Sequence, residues 1–142
     1  MEGDAEEFIY RAMREANGLP ELGAGASTLG IRKGKDIIPD QAGLVHRPAF
    51  HPRGANGLSC VPSVQDLPHF AIPVAWGGTN KKLVVWKIAV ADLGTELIAQ
   101  EDTESGAKNR HISVGPAATM AYDDFENAIQ ATQPRWQKVD KP

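Results

Sequence analysis

The clearest hydrophobic pattern in the chain lies at positions 82–93, KLVVWKIAVADL. There Val84, Trp86, Ile88 and Val90 fall on one face of a strand, and Leu83, Val85, Lys87 and Ala89 on the other. Both faces are mostly apolar, so this strand is expected in the centre of a sheet, with Trp86 in the core. An earlier stretch, EEFIYRAMR at 6–14, alternates with Phe8, Tyr10 and Ala12 opposite Ile9, Arg11 and Met13. Ala, Met, Arg and Glu favour a helix, but the Phe-Ile-Tyr cluster tips the reading to a strand over Phe8 to Ala12. After Pro116, TMAYDDFENAIQAT carries acids in its first turn and Phe125, Ala128 and Ile129 at i, i+3 and i+4, the stripe of an amphipathic helix that Pro134 ends.

Shorter strands fill the rest. Gly57 to Ser63, GLSCVPS, reads as a strand closed by Pro62, and His69 to Trp76 as another with Pro73 at an edge or bend. GGTNKK at 77–82 is a turn. The polar stretch from Gln100 to Asn109 is an exposed turn joining strands at Glu96–Ala99 and Arg110–Val114. Between Glu15 and Asn56 glycines and prolines forbid any long element. A helical turn at Ser27 to Arg32, capped by Ser27, and a short strand at Asp36 to Ile38 are the most this segment holds. About 40 residues of loop exceed the usual length of a connection, which points to a functional segment or one shaped by a ligand. The charged tail KVDKP is expected to be disordered. Strands outnumber helices, so the class is α+β, and 142 residues correspond to one domain over 1–142.

Composition then narrows the function. Hydrophobic residues make up 42% of the chain, enough for a core without a metal or disulfide staple. The net charge of −3, with Lys and Arg scattered, argues against nucleic acid as a partner. Cys60 is the single cysteine, so neither a disulfide nor a C-x-x-C site can form within the chain, and a reducing cytoplasm is the expected compartment. The beginning, MEGDAEEF, is acidic where a secretory signal would be basic and then apolar. No apolar run approaches a membrane span, so no membrane partner is expected; export by a machine that reads folded cargo would leave no such mark. Phosphate loops, dinucleotide fingerprints, H-E-x-x-H and G-x-S-x-G are all missing. His46, His51 and His69 sit among prolines and read as solvated or locally hydrogen-bonded rather than as metal ligands.

Four pieces remain: FIYRA at 8–12, GLSCVP at 57–62, VVWKI at 84–88 and HISVGPAATM at 111–120. In that order the chain resembles secreted bacterial toxins with an ADP-ribosyltransferase-like fold, the cytoplasm-acting effectors of type VI secretion systems. It resembles the NAD-consuming RES-domain toxins more weakly. The resemblance implies split antiparallel β-sheets with a few short helices and a C-terminal helix. It further implies NAD as substrate, transfer of ADP-ribose to a macromolecular target or hydrolysis of NAD, and a cognate antitoxin or immunity protein as partner. Arg11 would then hold ribose or phosphate through its planar fork, Ser59 would brace the neighbouring strand or a ribose, and His111 would contact a hydroxyl. Tyr10, Trp76 or Trp86 would supply stacking.

Each residue also has a plain structural reading. Arg11 would be a surface strand residue, Ser59 a partner for a neighbouring backbone group, and His111 the wet end of a strand. One departure counts against catalysis. The family places a glutamate near the late strands, and here HISVG puts Gly115 where that carboxylate would stand. Glu101 and Glu104 precede it and could reach in, whereas Glu126 on the helix is expected to face water. A non-catalytic protein-binding domain on the same fold is therefore the alternative. RNA 2′-phosphotransferase-like chemistry is disfavoured by the acidic balance.

Overall fold

The computed structural model describes residues 7–48, 57–101 and 110–141. Among them ten strands and one α-helix form a mixed α+β fold of small, mostly antiparallel sheets. The strands are β1 (Phe8–Met13), β2 (Glu15–Ala16), β3 (Leu19–Pro20), β4 (Leu44–Val45) and β5 (Leu58–Cys60). They continue with β6 (Val84–Ala89), β7 (Leu97–Glu101), β8 (Ile112–Pro116), β9 (Met120–Ala121) and β10 (Gln137–Lys138). Helix α1 (Tyr122–Ala131) lies between the last two strands.

β6 is central, as its two apolar faces predict, flanked by β1 and β10 in antiparallel register. β10 takes in Lys138, the first residue of the tail expected to be disordered. Its backbone completes the edge of β6, the Val139 amide donates to the Val85 carbonyl at 2.9 Å, and Lys138 reaches Glu15 at 2.6 Å. Ladder hydrogen bonds are backbone properties, and a charged composition does not forbid them on an edge strand. The second three-stranded sheet runs β5-β8-β7. Its register sets Leu58 against Val114 and Cys60 against Ile112 on the core face, and Ser59 against Ser113 on the other. Both sheets and α1, through Phe125 and Ile129, close over one apolar core that includes Met13, Leu29, Ile31, Trp86 and Val114.

Other sequence expectations fail. Residues 69–76 form no strand; they make two single 3₁₀ turns, His69–Ala71 and Val74–Trp76, because Pro68 and Pro73 each start a turn and cannot donate to a ladder. The segment at Ser27 is not helical, and the Asp36 to Ile38 strand shrinks to one bridge between Lys33 and Ile37. Met120 and Ala121 pair with β4 instead of opening the helix. The β2–β3 hairpin carries its own sequence signal. Asn17-Gly18, with φ of 56° and 83°, is the tight turn of the β2–β3 hairpin, and Asn-Gly is the strongest two-residue hairpin signature.

Gly57 fixes the start of β5. Its φ is +132°, and a Cβ there would lie 2.0 Å from the Val114 carbonyl oxygen. Gly57→Ala is expected to cost about 2 kcal/mol in urea unfolding, by left-handed strain and displacement of β8. An unchanged midpoint would show that the two strands can separate freely.

Candidate functional site

An arginine lies on the buried face of β1. Ile9 and Met13 are 2% and 0% exposed, and Arg11 between them is 7% exposed. Its guanidinium donates to four main-chain carbonyls: Nη1 to Ser59 at 2.8 Å, and Nη2 to Thr28, Gly25 and Ala26 at 2.8, 3.1 and 3.3 Å. Burial pushes its pKa below the ordinary arginine value, but a guanidinium bonded in this way stays charged at neutral pH. Arg11 is therefore neither the surface residue of the plain reading nor a fork aimed at phosphate. It ties the Gly-rich segment 25–28 to β5, while its Nε stays buried without a partner.

Above this clamp lies a hollow of about 600 Å³ lined by residues of both three-stranded sheets. Tyr10 and Arg11 come from β1, Ser59 and Cys60 from β5, and Arg110 and His111 from the entry to β8. β1 and β5 meet at a two-bond bridge, Tyr10 to Val61 and back, at 2.8 and 2.9 Å. Leu67, Pro68, Phe70 and Ala71 give the hollow an apolar wall, and Phe70 is 73% exposed.

The Ser59–His111 pair follows from register. Ser59 opposes Ser113, so His111, two residues before Ser113, sits diagonally across on the same face. Ser59 Oγ and His111 Nε2 are 2.7 Å apart. The same alternation sends Cys60 to the core, where burial raises its thiol to about 12 from 9.0. Between those two values the unfolded chain has lost a proton that the folded chain keeps. Stability should therefore fall above pH 9 by about 1.4 kcal/mol per pH unit from this group. Cys60 should likewise resist iodoacetamide until the protein unfolds. Fast labelling of native protein would contradict the burial.

Carboxylates that the sequence reading did not single out also reach the hollow. Asp36 is held by Arg32 Nη2 and Nε at 2.9 and 3.1 Å, an ion pair that holds the Arg32 pKa above its usual value. Asp66 accepts from Ser63 Oγ at 2.8 Å and from the Arg110 amide at 3.1 Å, which sets it one residue from His111. Arg110 in turn grips Glu101 with two bonds of 2.7 Å, which draw the Glu101 pKa down. Nothing in the sequence links Asp66 to His111, because the contact runs through a backbone amide 44 residues away.

The other expected residues lie elsewhere. Trp76 lines a separate small depression with Val64, Gln65, Ile72 and Lys141, and the aromatic rings lining the main hollow are those of Tyr10 and Phe70. Trp86 is buried in the core and donates to the Met13 carbonyl at 3.1 Å. Gly115 pairs with Ile98 inside the sheet. Glu126 is partly buried against Tyr122, whose pKa rises through burial and this neighbouring acid. His46 is locally bonded, to Asp40 at 2.8 Å and Thr119 at 3.0 Å. Glu104 and His51 lie outside the described residues. Among the described residues no helix is long and apolar enough to cross a membrane. Comparison with protein-family models, with curated proteins and with solved structures finds no match to this chain.

Proposed function

We propose that the main hollow binds NAD as a substrate and that the chain is a toxin-type domain of the ADP-ribosyltransferase class, transferring ADP-ribose to a macromolecular target or hydrolysing NAD. One observation carries this reading. Tyr10, Ser59 and His111, brought together from two sheets, face one hollow of about 600 Å³, within the range that encloses small-molecule ligands.

In this reading the bond that breaks joins the nicotinamide nitrogen to the ribose C1′, and its electron pair leaves with nicotinamide. The bonded Ser59 and His111 grip the ribose hydroxyls, while Tyr10 and the exposed ring of Phe70 cover flat faces of the ligand. The positive charge developing on the ribose needs an anion in place of the missing late-strand glutamate. Asp66, tied beside His111 through the Arg110 amide, is the carboxylate placed for it. Water or a nucleophile of the target then bonds to C1′ and gives up its proton to His111 or Asp66. An antitoxin would silence such a site by filling the hollow.

The test is incubation of purified protein with NAD. Release of nicotinamide, or label transferred to a protein, is expected; neither would leave the alternative, a non-catalytic protein-binding domain. That alternative has its own support in the outward display of Phe70 and Val74, 73% and 50% exposed.

A further inference from the structure

The cations of the main hollow are held by protein partners: Arg11 by carbonyls through Nη1 and Nη2, with only its buried Nε left without a partner, Arg32 by Asp36 and Arg110 by Glu101. A pyrophosphate lying there would have to compete with these partners for a cation. A second hollow of about 310 Å³ adjoins the first, and the two share Ser27, Asn80 and Leu83 in their walls. Arg14, Lys81 and Lys82 line it, no carboxylate does, and none of the three makes an ion pair among the described residues. Three unmatched positive charges in one recess are conspicuous in a chain whose net charge is −3.

The recess is also held in shape from several sides. Arg14 is fixed beside Ser27 by its amide, which donates to the Ser27 carbonyl at 2.8 Å. Asn80 organises the lysine turn: its Oδ1 accepts from the Lys82 and Leu83 amides at 2.8 and 2.7 Å, and its own amide donates to Ile72 at 3.0 Å. Gly78 lets this turn approach closely, since a Cβ there would sit 2.1 Å from the Ile72 carbonyl oxygen. The lysine backbones are thus set before any ligand arrives, and only their side chains have to order.

We propose that this second hollow is the anion subsite of the site, receiving the pyrophosphate of a ligand whose sugar and base lie in the main hollow. An Arg fork, two Lys charges and the hydroxyls of Ser27 and Thr79 are the donors that a pyrophosphate needs. The identity of the ligand as NAD rests on the function proposed above; the subsite itself rests on the unmatched cations and the shared walls.

Calorimetric titration of the full chain with inorganic pyrophosphate, ADP-ribose and a short single-stranded RNA tests it. The wild type should bind pyrophosphate and ADP-ribose, more weakly as salt rises. The Lys81→Gln/Lys82→Gln double variant should lose about tenfold or more in affinity for both, with an unchanged thermal midpoint, as expected for exposed side chains. Equal affinities in variant and wild type, or no pyrophosphate binding by the wild type, would overturn the subsite. So would tight RNA binding that pyrophosphate does not displace, since the cations would then serve a nucleic acid. Pyrophosphate binding lost in the double variant, in a protein that neither binds nor cleaves NAD, would keep the subsite and remove the NAD reading.

Discussion

Arg11→Ala is expected to unfold the protein more than it silences a site, lowering stability by about 3–5 kcal/mol in urea denaturation. Removing the side chain leaves four carbonyls, on Ser59, Gly25, Ala26 and Thr28, without their shared donor, in a region where the replaced arginine was 7% exposed. Hydrogen bonds to a charged group are among the stronger ones. Water entering from the adjoining hollow can replace only part of them, so the sum does not reach four full bonds. For a domain whose total stability is of order 5–15 kcal/mol, this loss is a large share. Arg11→Lys should recover little, because an ammonium has three donors on a point and cannot span β5 and the 25–28 loop together. A midpoint for Arg11→Ala within about 0.5 kcal/mol of wild type would show that the clamp is ornamental. Loss of activity in that variant alone cannot identify Arg11 as a substrate ligand.

This role marks the boundary of what the sequence could show. The alternation of Phe8 to Met13 put Arg11 on one face with Ile9 and Met13, which is the buried one, and the diagonal of β5 and β8 brings Ser59 and His111 together as residues of one recess. β6 and α1 were legible because long apolar stripes have few alternative arrangements. What could not be read is what the guanidinium faces. Its partners are backbone carbonyls, which carry no residue identity, so a clamp and a phosphate fork look the same in sequence. Asp66 was hidden for the same reason, since it reaches the site through the Arg110 amide. Misreading residues 69–76 as a strand had a different cause. HFAIPVAW has the apolar content of a strand, and two prolines outweigh it locally. The same prolines carry Trp76 out of the main hollow.

Separating structure from chemistry therefore falls to Ser59 and His111, which are bonded to each other at the wall of the hollow. Ser59 is exposed and His111 half-buried, so Ser59→Ala and His111→Ala should each shift stability by only about 1 kcal/mol, the worth of a hydrogen bond. On NAD, Ser59→Ala is expected to lower nicotinamide release about tenfold, the worth of one hydrogen bond in a site. His111→Ala should lower it about a hundredfold, because it removes both a hydroxyl contact and a proton acceptor. The 2.7 Å bond between them makes a sharper statement. If the serine acts by holding the imidazole, the double variant should be no slower than His111→Ala alone, because the serine has nothing left to orient. If the losses simply multiply, to about a thousandfold, the two groups contact the ligand independently and the pairing is incidental. If neither single variant changes the rate while the fold is intact, this face of the β5–β8 sheet is not where the glycosidic bond breaks.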